Sequence, residues 1–231
     1  MILCFTALQA VCSIKNKDAL KNNTTMKRIF LCSSFADVAS ILSKSVSVPL
    51  KGKTVAFIPT ASIHEEYMQY VEDGRMALDS LGLIVNEIEI TQCSKNKIKD
   101  VLYDCDCIYI SGGNTFFLMQ ELRKTGTDKL IIEQIEKGKL YIGESAGAMI
   151  LAPNIEYAKD MDDHLTQTPD FTDFKGLGIV EFYPVVHFNS FPFKEAAQKV
   201  VHKNSHLPLE IITNQQAIVV VGNSIVIKER K

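Results

Sequence analysis

The stretch Tyr141-Ile142-Gly143-Glu144-Ser145-Ala146-Gly147-Ala148-Met149-Ile150-Leu151 constrains this chain more than any other. A short apolar run ends at a glycine, and a helix-compatible run follows a second glycine. Glycines two places either side of Ser145 let a strand turn sharply into a helix with that serine at the apex. The central residue is then strained, and a larger residue at either flank would clash. Strain of this kind is usually retained where a side chain must be presented as a nucleophile. A plain strand-to-helix loop with glycines for tight packing has the same pattern, so the surrounding chain must decide.

That context is an alternation of apolar runs with amphipathic stretches. Strands are expected over 28–32, 54–58, 83–90 and 107–110. Ser33-Ser34 can cap a helix carrying Val38, Ile41 and Leu42. Apolar residues at near-helical spacing predict a helix over 65–81, and others are expected to begin near Phe116 and to run over 128–137. The segment 95–102 reads only as short and charged. Nearly continuous apolar strands separated by helices indicate an α/β fold, a parallel sheet covered on both faces. Right-handed crossovers put every strand-to-helix loop at one edge, where ligands bind. Gly112-Gly113 and Ser145 both fall there. The tail from Leu209 reads as short strands with a hairpin turn at Gly222-Asn223. Residues 1–25, mildly apolar and then polar, read as an N-terminal extension, and residues 26–231 as one domain.

Composition removes several function classes. A net charge of −2 leaves no electrostatic footprint for nucleic acid. No apolar stretch approaches the roughly 20 residues that span a bilayer. The six cysteines are scattered without a Cys-x-x-Cys pair, which suits reduced thiols in a soluble, cytoplasmic protein. Cys105-Asp106-Cys107 has no His or Cys partner at ligand spacing, so no metal is expected. Without a Walker lysine or G-x-G-x-x-G spacing, no cofactor is expected either.

A serine hydroxyl needs a neighbouring base. His187 follows the apolar run 179–186 and should stand at the carboxyl edge of a strand, which favours it over His64, His164, His202 and His206. A carboxylate would fix its tautomer. Asp160, Asp162 and Asp163, in the loop after the nucleophile, are all candidates on position. Oxyanion donors are expected from the N–H of Ala146 and from the Gly112-Gly113 turn.

Three pieces in this order resemble the dipeptidase E (alpha-aspartyl dipeptidase) family of serine peptidases, which includes cyanophycinase. They are Ile110-Ser111-Gly112-Gly113-Asn114-Thr115-Phe116, Gly143-Glu144-Ser145-Ala146-Gly147-Ala148 and Val185-Val186-His187-Phe188-Asn189, and the resemblance spans about 27–231. It implies a three-layer, flavodoxin-like, mostly parallel sheet related to class I glutamine amidotransferases. It implies a triad of Ser145, His187 and Asp160, with Asp160 at the matching distance after the serine. It also implies a small peptide substrate, no cofactor, and a monomer or homodimer. Asn114, Glu144 and Asn189 are the candidate substrate contacts, Glu144 for a substrate ammonium. Dipeptidase E has tryptophan where this chain has Glu144.

Selectivity for an N-terminal aspartate would need a cation near the pocket, ideally arginine. Arg28, Arg75, Arg123 and Arg230 are placed poorly for that, and Lys159 and Lys194 are the substitutes. An esterase of the alpha/beta-hydrolase fold shares the elbow, but too few residues separate Ser145 from His187 for its further strand–helix units. A non-catalytic binding domain with a vestigial elbow is the third reading.

Overall fold

The computed structural model describes residues 26–46 and 48–230, so the extension expected over residues 1–25 lies outside the described residues. The sheet is built around two strands buried at every residue, β4 (Cys107–Ile110) and β5 (Leu140–Glu144). Strands buried on both faces must be covered on both faces, and alternate residues show it. Ile29, Leu31, Ile108, Ile110 and Tyr141 join one core; Phe30, Cys32, Phe57, Tyr109 and Ile142 join the other. Each large side chain fully buried in this way contributes about 1.5–3 kcal/mol.

The strands are β1 (Arg28–Cys32), β2 (Thr54–Ile58), β3 (Ile84–Glu87), β4, β5, β8 (Gln216–Val221) and β9 (Ser224–Glu229), in spatial order β3-β2-β4-β5-β1-β8-β9. The first five in that order are parallel; β8 and β9 join antiparallel at the far edge. Helices α1 (Phe35–Ser45) and α2 (Gln69–Ser80) cover one face. Helices α3 (Lys95–Asp104), α4 (Thr115–Thr125), α5 (Thr127–Glu136) and α6 (Ala146–Met149) cover the other, with α7 (Lys194–Lys203). The result is the expected three-layer, flavodoxin-like α/β arrangement, with the hairpin turn at Gly222-Asn223.

Three segments differ from expectation. The charged stretch at 95–102 is helix α3, opened by Ser94, whose Oγ accepts from the Lys97 N–H at 3.3 Å. The third strand is shorter because β3 lies at an edge, where Ile84 faces solvent. The run 179–186 is not a strand of the main sheet. Pro184 cannot donate a ladder hydrogen bond, and only β6 (Tyr183–Val185) forms, paired in parallel with β7 (Leu209–Ile211) in a separate two-stranded sheet. The pairing Val185↔Ile211 places the loops that follow both strands side by side.

Among the described residues, no helix is long and apolar enough to cross a membrane. No cluster of His, Cys, Asp or Glu among them could hold a metal.

Candidate active site

Ser145 stands between β5 and α6 with φ 48 and ψ −107, a conformation costly for a residue with a Cβ. Its surroundings hold it there. The Ser145 N–H donates to the Cys32 carbonyl at 2.9 Å, and its own carbonyl accepts from the N–H of Ala148 and Met149 at 2.9 and 3.0 Å. The flanking glycines are required by close approach. A Cβ on Gly147 would lie 2.4 Å from the Ile110 carbonyl oxygen, and one on Gly143 would lie 2.5 Å from that of Gly147.

The imidazole of His187 comes from the loop after β6. Its Nε2 is 3.0 Å from Ser145 Oγ. His187 also has positive φ, 57°, and its N–H donates to Ser33 Oγ at 2.9 Å, which in turn donates to the Thr213 carbonyl. The ring of Phe193 lies over the imidazole at 4.7 Å between centroids. On the far side, Nδ1 is 2.9 Å from Asn214 Oδ1. An amide oxygen only accepts, so this pairing puts the proton on Nδ1 and leaves the Nε2 lone pair to accept the Ser145 hydroxyl proton. Burial holds the His187 pKa below its ordinary value, and the bond to Asn214 opposes that shift.

None of the three expected carboxylates meets the imidazole. Asp160 is paired with Lys203 at 2.7 Å, Asp162 accepts from the Thr115 N–H at 2.9 Å, and Asp163 accepts from Leu165 N–H at 2.8 Å and from the Thr166 hydroxyl. Asp160, favoured by resemblance, ends the 3₁₀ turn Glu156–Asp160, which packs against α7, and that helix supplies its lysine. Asn214 takes the place beside Nδ1. It follows β7 as His187 follows β6, and only the parallel pairing of those distant strands brings them together.

The Gly112-Gly113 turn lies directly against the nucleophile: a Cβ on Gly112 would be 3.2 Å from the Ser145 Cβ. Gly113 has φ 130, and a side chain there would run into the Ala61 carbonyl at 2.1 Å. The N–H groups expected as oxyanion donors belong to this turn, at Gly112 and Gly113, and to Ala146 at the start of α6.

The expected substrate contacts are placed otherwise. Asn114 is buried; its Oδ1 accepts from the N–H of Phe116 and Phe117 at the start of α4, and its Nδ2 donates to the Asp163 carbonyl. Glu144 is only 3% exposed, with Oε1 accepting from the Phe35 N–H at 2.8 Å and Oε2 from the Tyr109 hydroxyl at 2.6 Å. It cannot meet a substrate ammonium. Asn189 is exposed and accepts from Gln198 Nε2 at 2.9 Å.

Each arginine is committed elsewhere. Arg28 donates to the Gly138 carbonyl, Arg75 pairs with Glu72 and Glu87, Arg123 donates to the carbonyls of Asp173 and Lys175, and Arg230 donates to that of Asp37. Lys159 pairs with Glu156, whereas Lys194 opens α7 directly after Phe193.

The model of peptidase family S51 matches residues 30–228. An uncharacterized peptidase of Pasteurella multocida is 48% identical over 204 residues, covering 88% of this chain and 98% of that protein. Peptidase E of a Nostoc species is 28% identical over 171 residues, 74% of this chain and 64% of that protein. The crystal structure of a Listeria monocytogenes protein provisionally named peptidase E superposes with a TM-score of 0.84 at 47% identity, covering 89% of this chain and all of that one. The chain therefore belongs to peptidase family S51, the serine peptidases of the dipeptidase E type.

Proposed function

We propose that this peptidase hydrolyses dipeptides or other short peptides through an acyl-enzyme on Ser145, with His187 as base and Asn214 as the group that orients it. The observation that carries the reading is the 3.0 Å approach of His187 Nε2 to the hydroxyl of a serine held at φ 48. Ser145 Oγ attacks the scissile carbonyl carbon as its proton passes to Nε2. The oxyanion is met by N–H groups of the Gly112-Gly113 turn and by that of Ala146. The imidazolium then protonates the leaving nitrogen, and the C–N bond breaks. Water, deprotonated by His187, attacks the ester carbonyl; the peptide acid leaves, and the proton returns to Ser145.

The commitment of all four arginines speaks against strict selectivity for an N-terminal aspartate. Lys194, which follows Phe193 in the chain, is the remaining candidate cation for acidic substrates. A dipeptide library turned over by the wild-type chain and by Ser145→Ala tests the proposal. Turnover that persists without the Ser145 hydroxyl would end it.

A further inference from the structure

The reaction just described leaves the aromatic rings around its centre without a task. Tyr70, the second residue of α2, is partly buried, and its ring edge rests on the Gly112-Gly113 turn. A Cβ on Gly112 would lie 3.3 Å from Tyr70 Cε2 and 3.7 Å from Cδ2, and the same Cβ would lie 3.2 Å from the Ser145 Cβ. The ring edge and the nucleophile therefore flank one point, and glycine leaves that point open.

The fold explains why Tyr70 stands there. Tyr70 and Gly74 are four residues apart and share a face of α2. Gly74 lets the helix close on the sheet: a Cβ there would lie 2.5 Å from the hydroxyl of Tyr109 in β4, which donates to Glu144 at 2.6 Å. The helix runs back against the direction of the strand, so one turn earlier the same close approach sets Tyr70 on Gly112, just past the end of β4.

Tyr67 extends this wall outward. It is 68% exposed, and its ring centroid lies 6.2 Å from that of Tyr70. The base has its own ring in Phe193, and Phe191, in the same loop after His187, is 94% exposed. Large aromatic side chains left in water around a reactive pair offer a surface for a ligand to cover.

We propose that Tyr70 is a specificity-determining residue: its ring walls the slot beside Ser145 and packs against an apolar side chain, best an aromatic one, on a substrate residue flanking the scissile bond. The inference rests on Ser145 being the nucleophile and names the substrate class of that site. Charge agrees with it. Burial raises the Tyr70 pKa, and Glu65, Glu144 and Asp162 raise it further, so the phenol is neutral and those three charges acting on it are all negative. An acidic side chain entering the slot would be repelled, whereas an apolar one gives up no hydrogen bond on leaving water.

The test measures kcat/KM of the purified full chain on two dipeptide series, X-Ala and Ala-X, with Phe, Ala or Asp at X, in wild type, Ser145→Ala, Tyr70→Phe, Tyr70→Ala and Tyr67→Ala. In one series wild type should favour the Phe member over the Ala member by about 10-fold or more, and the Asp member should be the poorest. Tyr70→Ala is expected to lower kcat/KM about 10- to 30-fold for the Phe member and less than about 3-fold for the Ala member, a split that a merely structural role would not produce. Tyr70→Phe should keep the preference, because the ring and not the hydroxyl makes the wall. Tyr67→Ala changes an exposed side chain and should reduce the preference about 3-fold, which decides the matter if Tyr70→Ala fails to fold. A wild type that favours the Asp or Ala members, a Tyr70→Ala that loses equally on all members, or, where that variant does not fold, a Tyr67→Ala with unchanged preference would overturn the slot and leave the nucleophile standing. An active Ser145→Ala would remove both.

Discussion

Replacing Asn214 by aspartate would put a full charge where a neutral amide oxygen now lies 2.9 Å from His187 Nδ1. With charge centres about 4 Å apart and an effective dielectric near 20, the attraction for an imidazolium is about 4 kcal/mol, or roughly 3 pKa units. Desolvation of the new carboxylate opposes this, and a net rise of about 1–2 units is expected. The sign follows from the resting state. His187 is held below its ordinary pKa, so it is a neutral base over most of the neutral range. Raising the pKa keeps it protonated to higher pH, where it cannot take the serine proton. The acid limb of kcat/KM that belongs to His187 should therefore move upward by the same amount. The His187 ring resonances, followed by NMR through a pH titration of wild type and Asn214→Asp, read the shift directly, and the rate profile reads its consequence. Asn214→Ala is the companion: with the tautomer no longer fixed, kcat should fall by about 100-fold or more. If the ring titrates at the same pH in Asn214→Asp, or if Asn214→Ala is fully active, Asn214 does not orient the base.

Asp160→Ala should leave kcat within about 3-fold of wild type and cost less than about 1 kcal/mol, since it removes only a partly exposed ion pair with Lys203; a loss of about 1,000-fold would restore the aspartate to the triad. Gly147→Ala drives a Cβ to within 2.4 Å of a backbone oxygen in the sheet, so stability should fall by about 3 kcal/mol or more, read from the urea midpoint, with activity lost as the elbow shifts. Glu144→Gln should also change how stability depends on pH. A carboxyl whose folded pKa is raised from 4.5 to about 7 favours the folded state below the unfolded value, and that advantage is lost as pH rises through the folded value. Wild type should lose on the order of 2 kcal/mol relative to Glu144→Gln between about pH 5 and about pH 7 in parallel denaturant titrations.

How far the sequence could be read follows from the range of each constraint. The elbow was legible because its glycines mark it in five consecutive residues: Gly143 is fixed by the turn's own Gly147 carbonyl, and Gly147 by the Ile110 carbonyl of the adjacent strand. The sheet was legible because β1, β2, β4 and β5 are nearly all buried and so nearly all apolar. His187 was reached by edge placement, although the strand before it belongs to a different sheet from the one imagined. Asn214 was out of reach. Its meeting with His187 depends on β6 pairing with β7 across some 25 residues, and two three-residue strands carry no local sign of whom they will pair with. Glu144 was misread as an accessible charge because glutamate is seldom buried. Strand alternation held the correction, since Ile142 and Glu144 point to the face lined by Phe57 and Tyr109.

The neutral group beside His187 and the buried charge beneath Ser145 are connected. Like charges in a water-poor site raise one another's pKa, and Asp37 and Asp162 already lie within electrostatic range of this region: Asp37 acts on Glu144, and Tyr70 feels both Glu144 and Asp162. A carboxylate beside His187 would add another negative charge near Glu144 and push its ionisation further above neutrality. An amide fixes the imidazole tautomer without that penalty. It gives up some support for the imidazolium, and the oxyanion donors must then supply more of the transition-state stabilisation. The base is therefore held by a group that cannot titrate.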